Sequence, residues 1–174
     1  MRTVRVEERL EELGLVLPAS PSPNGAYTPF VEVGNLLFVS GQTPKRDGKP
    51  HPVGYVGDNV GEDDAVVGAR QAALQTLTVA KSALGSLERI DRVIRVNGYV
   101  RSAPGFVRQS AVMDGASRLL LDAFGDLRGA HTRTAVGVAE LPGGAAVELD
   151  AIFAVRPGSR PARHDVRPET GPTL

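Results

Sequence analysis

Two long amphipathic stretches, each set between runs of two-residue alternation, constrain this chain more than anything else in it. In the first, Val66, Ala69, Ala73, Leu77, Ala80 and Leu84 recur at helical spacing and so share one face of a helix. Asp63 or Asp64 can cap its start and Gly85 can stop it. The second follows Pro104-Gly105, spans 106 to 124, and places Val112, Ala116, Leu119, Leu120 and Ala123 toward a core, with Gly125 ending it. Alternating runs at 30–33 and 36–40 meet at Gly34-Asn35, a hairpin signal. Another run, 93 to 101, sets Ile94, Val96 and Val100 against Arg95, Asn97, Tyr99 and Arg101. The last two, 133–138 and 147–152, flank Pro142-Gly143-Gly144 and read as a second hairpin. Strands separated by helices imply right-handed crossovers, so the expected fold class is α+β: a mixed sheet with two helices packed on one face. The opposite sheet face is not uniformly polar, and burial against further copies of the chain is its natural cover.

A chain of 174 residues with 41% hydrophobic content is long enough for one domain with a sizeable core. Flanking pieces divide it into three parts. Residues 1 to 23 read as a helical extension, with Val6, Leu10 and Leu13 on one face, followed by a linker broken by Pro18, Pro21 and Pro23. The domain proper spans 24 to 155, and the proline- and arginine-rich tail from 156 to 174 is expected to be disordered. Between 44 and 61 the Gly/Pro-rich composition predicts a long loop, with a short strand at 53 to 56. Twenty acidic residues balance twenty basic ones, so no overall charge draws the protein to nucleic acid or an anionic membrane. Without cysteine there are no disulfides or thiolate sites, and His51, His131 and His164 lack ligand spacing, so no metal is expected. No apolar run is long enough to cross a membrane, and the N-terminus carries acidic residues rather than an apolar secretory core; cytoplasmic residence follows as the expectation.

Arg133 shares a strand face with the small residues Ala135 and Gly137, which predicts open space around a fixed cation. Such a space suits a carboxylate, which guanidinium holds through two parallel hydrogen bonds; an ordinary strand-end arginine is the alternative. Glu148 alternates inside an apolar strand and faces either water or a pocket where it can move protons. In a hairpin centred on Gly143-Gly144, Glu148 lies opposite about Ala139. Arg133 is then about six residues further on, roughly 20 Å away at ~3.3 Å per residue. Strand curvature or a neighbouring subunit would have to bring the two together. Tyr27 can offer a hydroxyl, and Ser40-Gly41-Gln42 ends a strand where glycine permits close backbone approach. His131, two residues before Arg133, reads as a solvated loop histidine, and Asp114 as either an exposed helix carboxylate or a pocket residue.

Four stretches in register carry a resemblance. Arg133-Thr134-Ala135-Val136-Gly137-Val138-Ala139-Glu140-Leu141-Pro142 with Val147-Glu148 resembles the C-terminal signature of the Rid (reactive intermediate deaminase, or YjgF) family. Leu36 to Pro44 is similar to that family's apolar strand ending in Ser-Gly-Gln, Ala69-Arg70-Gln71-Ala72 to its helix start, and Gly25-Ala26-Tyr27 to its Gly-Pro-Tyr. The resemblance covers residues 24 to 155. It implies a chorismate-mutase-like fold assembled as a homotrimer with pockets at subunit boundaries. It also implies hydrolysis of reactive enamines and imines of amino-acid metabolism to 2-oxo acids and ammonia, without cofactor. Arg133 and Glu148 would be catalytic; Tyr27, Ser40, Gly41, Gln42, Asp114 and Ala135 would line the substrate.

Departures mark a divergent branch. His131-Thr132 stands where the family has Pro-Ala, Ala135 where it often has cysteine, and Asp114 where it often has asparagine; the loop from 45 to 61 is longer. Two functions from different classes therefore stand: a hydrolase of small carboxylated metabolites, or a non-catalytic trimer that binds a small carboxylate or a protein partner. Neutral charge, no aromatic base-stacking run and no clustered histidines argue against an endoribonuclease, so no nucleic-acid partner is expected.

Overall fold

The computed structural model describes residues 5 to 20 and 25 to 157. In chain order the elements are α1 (Val6–Glu12), β1 (Phe30–Val33), β2 (Leu36–Gln42), β3 (Lys45–Arg46), β4 (Lys49–Pro50), α2 (Glu62–Leu84), β5 (Ile90–Arg101), α3 (Gln109–Gly129), β6 (Thr132–Val138) and β7 (Val147–Val155). Five strands form one mixed sheet in the order β1-β2-β7-β5-β6, with β5 and β6 parallel and the other neighbours antiparallel. The predicted tail lies outside the described residues except for Arg156 and Pro157. There, Arg156 Nε donates to Asp91 at 2.9 Å.

The helical stripes pack as their spacing demands. Leu77, Ala80 and Leu84 of α2, with Val112, Ala116, Leu119 and Leu120 of α3, close over one sheet face carrying Leu37, Val39, Val93, Val96, Val100, Leu149 and Phe153; all are buried. Helix α1 joins the same core through Val6 and Leu10. The two long helices approach closely at Gly115, where an added Cβ would stand 2.1 Å from the Val66 carbonyl oxygen. Backbone cannot yield as a side-chain tip can, so Gly115→Ala must push the helices apart. We expect a loss of about 1–3 kcal/mol, read as a melting temperature lowered by several degrees. An unchanged melting temperature would show that the helices have room to spare.

Several local expectations are corrected. The start of α2 is Gly61, with no side-chain cap, rather than Asp63 or Asp64, which lie inside the first turn; there they favour the positive end of the helix dipole. Helix α3 begins later than its apolar pattern and continues through a kink at Gly125 to Gly129. Ile94 leaves the face of Val96 because β5 shifts register between Val93 and Arg95, and it is partly exposed. The segment after β2 is a two-stranded hairpin, β3–β4, turning on Asp47 and Gly48 with φ of 51° and 78°. Asp-Gly with both residues left-handed is a strong hairpin signal. The strand expected at 53 to 56 is reduced to isolated bridges. Tyr55 holds this stretch in place: the Arg101 guanidinium lies 3.8 Å over its ring, and its hydroxyl donates to Glu140 at 2.5 Å. Arg101 completes the clasp with a 2.6 Å ion pair to Glu140.

The largest correction concerns the last two strands, which do not form a hairpin. Chain 139 to 146 carries β7 past β5 into the slot between β2 and β5. There β7 gains a ladder on both sides, while β6 stays at the edge beside its parallel partner β5. A two-sided ladder satisfies the backbone groups of the most apolar strand, which an edge position would leave unpaired.

Candidate functional site

The candidate residues fall into two groups on opposite faces of the sheet. The first is built where β6 meets α3. Arg133, Ala135 and Gly137 alternate toward the helix side, whereas Thr134 and Val136 look the other way; Arg95 Nη2 donates to Thr134 Oγ1 at 2.7 Å on that other face. Ser110, Asp114 and Ser117 stand at i, i+4 and i+7 on α3 and make one polar stripe. Arg133 Nη1 donates to Asp114 Oδ1 at 2.9 Å and to Ser117 Oγ at 2.8 Å. Its Nη2 donates to Ser110 Oγ at 2.8 Å and to the Ser110 carbonyl at 3.1 Å. The space expected around the arginine is therefore taken by α3, and a carboxylate already occupies part of the guanidinium fork. Asp114 keeps that carboxylate 47% exposed while the arginine is only 18% exposed, so the partner facing solvent is the anion.

His131 belongs to this group, not to solvent. Its Nδ1 lies 2.6 Å from the Gly129 carbonyl, which can only accept, so Nδ1 carries the proton. Nε2 then accepts from Ser117 Oγ at 3.0 Å, and Ser117 in turn accepts from Arg133. Arg133 is thus fixed from two sides. Sequence reading named Asp114 but missed Ser110, Ser117 and the role of His131; the i, i+4, i+7 recurrence of short polar side chains was the available signal.

The second group lies on the sheet face away from the helices, around Glu148 of β7. Val147 and Leu149 are buried on the helix side and Glu148 points opposite, as its alternation requires. Gly41 lies beside it so closely that an added Cβ would stand 2.0 Å from Glu148 Oε1. The shift of register in β2 between Val39 and Gln42 makes this approach possible. Burial, and secondarily the negative charge of Asp150, raise the Glu148 carboxyl above its ordinary range. Asp150 itself is engaged: Tyr99 Oη donates to it at 2.9 Å and Asn97 Nδ2 at 2.7 Å. Arg95 Nε donates to Asn97 at 2.8 Å and continues the chain to β6. Burial, then the bond to Asp150, raises the Tyr99 phenol as well.

The remaining candidates lie on β2 and on the chain just before β1. Ser40 Oγ donates to the Thr28 carbonyl at 2.8 Å, which ties the segment bearing the exposed Tyr27 to β2. Gln42 is at the same end of β2 but on the other face: it is buried, pairs with the helix-side Leu149, and its Nε2 donates to the Ser40 carbonyl at 3.0 Å. Tyr27, Ser40, Gly41, Gln42 and Glu148 therefore share one end of the sheet, and Arg133, Asp114 and Ala135 share another place. Glu148 pairs with Tyr99, which pairs with Val136, three residues beyond Arg133. The two are about 10 Å apart across the strands and about 10 Å along them, on opposite faces. This replaces the separation expected from a hairpin, and one copy of the chain does not bring the two groups together. Among the described residues no three His, Asp or Glu side chains gather to hold a metal, and no helix is long and apolar enough to cross a membrane.

Comparison with known proteins agrees with this architecture. Residues 7–153 match the family described as "YjgF/chorismate mutase-like, putative endoribonuclease". The chain is 45% identical over 148 residues to Protein TCP17 of Trypanosoma cruzi, covering 85% of this chain and 92% of that one. It is 31% identical over 140 residues to a 2-iminobutanoate/2-iminopropanoate deaminase of Dermatophagoides farinae, covering 79% and 92%. A crystal structure of a protein of unknown function from Agrobacterium tumefaciens superposes with a TM-score of 0.81 at 45% identity, over 87% of this chain and 92% of that one. With the family matched over most of its length and the mixed sheet and helices in place, the chain belongs to the YjgF/Rid family.

Proposed function

We propose that this protein hydrolyses enamine and imine intermediates of amino-acid metabolism, releasing a 2-oxo acid and ammonia. The observation that carries this reading is the state of Arg133: a guanidinium held rigid by Ser110 and Ser117, with a carboxylate already on its fork and facing solvent. Exchange of Asp114 for a substrate carboxylate keeps the charge balance and sets the imine carbon in a fixed orientation. Glu148, raised toward neutrality by burial, is suited to take a proton from water as it attacks that carbon and to return it to the departing nitrogen. Water adds across the C=N bond, the carbinolamine collapses, and ammonia leaves. The deaminase among the relatives supports the reaction class.

Separation of the two groups within one chain makes assembly part of the proposal. We take the active form to be a homotrimer, in which the free edge at β6 of one copy meets the β2–β7 region of the next. Exposed apolar residues on the open sheet face, among them Val31, Val33 and Phe38, supply cover of the kind such an assembly buries. A second reading, a non-catalytic carboxylate-binding trimer, is favoured by the same Arg133–Asp114 pair, because an internal anion can be structural. Ammonia release from freshly generated 2-aminoacrylate, measured beside sedimentation equilibrium, decides between them. Turnover by a trimer is the expected result. A trimer without turnover leaves the binding reading, and a monomer defeats the shared site.

A further inference from the structure

The bonds that hold Arg133 differ in what becomes of them when a substrate carboxylate displaces Asp114. The bond to Asp114 is lost, and those to Ser110 and Ser117 must keep the guanidinium in place. A serine inside a helix is an unreliable anchor, because its hydroxyl can turn back to the carbonyl four residues earlier. Thr76 and Thr78 of α2 turn back in this way and donate to the Ala72 and Leu74 carbonyls, each at 3.0 Å. Ser117 of α3 is turned outward instead. Its hydroxyl donates to His131 Nε2 at 3.0 Å, which leaves its oxygen toward Arg133 Nη1 at 2.8 Å. His131 accepts there because Nδ1 donates to the Gly129 carbonyl at 2.6 Å. Gly129 is the last residue of α3, where a carbonyl has no partner within the helix. The end of α3 thus fixes the histidine, the histidine fixes the serine, and the serine fixes the arginine.

We propose that His131 is a positioning residue for the Arg133 clamp: through Ser117 it holds the guanidinium in place while Asp114 gives way to a substrate carboxylate. The proposal rests on the reading of Arg133 as the carboxylate ligand. His131 does not touch substrate and acts only through Ser117. Without it the Ser117 hydroxyl regains the Met113 carbonyl as a partner, and its oxygen swings away from Nη1. Arg133 is then left with Ser110 alone once Asp114 departs. Substrate binding must in that case also order a side chain of large rotamer freedom. That cost weakens substrate and transition state alike, so KM rises and kcat stays. Damage to the fold has the opposite signature: it lowers the active fraction, and with it kcat, and leaves KM alone.

Two substitutions separate the two bonds of the imidazole. Asparagine carries its amide near the position of Nδ1 and can still donate to Gly129; glutamine carries its amide near Nε2 and can still accept from Ser117. His131→Asn is expected to raise KM for freshly generated 2-aminoacrylate about three- to tenfold while kcat changes less than about twofold. Binding of pyruvate, the 2-oxo acid product, should weaken by the same factor. His131→Gln should restore most of this. Ser117→Ala should match His131→Asn, and combining the two should add nothing further. A second readout needs no ligand. In the Asp114→Ala protein, where the internal anion is removed, rotation of the Arg133 guanidinium followed by nitrogen NMR should be slow. It should stay slow with His131→Gln and become fast with His131→Asn. Equal pyruvate affinity in the parent and Arg133→Ala would defeat the clamp reading, and the rotation measurement would then still decide whether His131 holds the arginine. Rescue by asparagine rather than glutamine, or rotation that stays slow with both, overturns the proposal; the histidine would then only close the end of α3.

Discussion

Arg133→Ala is expected to abolish turnover and to weaken small-carboxylate binding by about a hundredfold or more, while the protein remains folded. Loss of a hydrogen-bonded charge partner costs about 2–5 kcal/mol in a desolvated site, and every 1.4 kcal/mol is tenfold. The fold tolerates the change because the abandoned partner, Asp114, is half exposed and returns to water; a stability loss near 1 kcal/mol is the expected scale. Lysine at 133 restores little, since a single ammonium cannot bridge Ser110, Ser117 and a carboxylate in one plane. Asp114→Asn separates ligand clamp from structural tie. If a substrate carboxylate must displace Asp114, neutralising it frees the fork, and ligand affinity rises severalfold. If the pair serves only to hold α3 on β6, Asp114→Asn lowers stability and leaves affinity alone. Equal carboxylate affinity in the parent and in Arg133→Ala would sink both the hydrolase and the binding reading.

What could be read from the sequence divides along the range of the interactions. Local periodicity gave α2 and α3 and their buried faces, because a helix presents its pattern within a few turns of chain. It also gave the outward direction of Glu148, because alternation needs only the flanking Val147 and Leu149. Pairing of β7 with β5 and β2 was not legible, since nothing in 133 to 152 records a partner forty or more residues upstream. Pro142-Gly143-Gly144 looked like a hairpin turn; it is a short 3₁₀ turn on the way past β5. The open space assigned to Arg133 failed for the same reason: Ala135 and Gly137 are small because α3 lies over them. An added Cβ at Gly137 would stand 3.0 Å from Gln109 Nε2. By contrast, the β3–β4 turn was legible at Asp47-Gly48 and was passed over within a Gly/Pro-rich stretch. The family motifs reached further than periodicity because they encode a whole arrangement, but His131 and Ser117 stand outside them.

Glu148→Gln should separate binding from chemistry and, independently, report the protonation of the carboxyl. The amide keeps the size and most of the hydrogen bonding but cannot take a proton. Turnover should therefore fall by about 10²–10⁴-fold while substrate affinity, which rests on Arg133, changes little. Stability gives the second readout. Burial and Asp150 raise this carboxyl above its ordinary value of 4.5, so the folded protein holds the proton after the unfolded chain has released it. In that interval the folded state binds more protons, and its stability falls as pH rises from 4.5 through the raised value. Above the interval the full cost of a half-buried charge beside Asp150 is present; below it, none. Glu148→Gln removes that cost, so the variant should melt higher than the parent at neutral pH, with the difference vanishing below pH 4.5. A variant that melts no higher at neutral pH would show that the carboxyl is not held toward its neutral form, and a base role at Glu148 would then lose its physical ground.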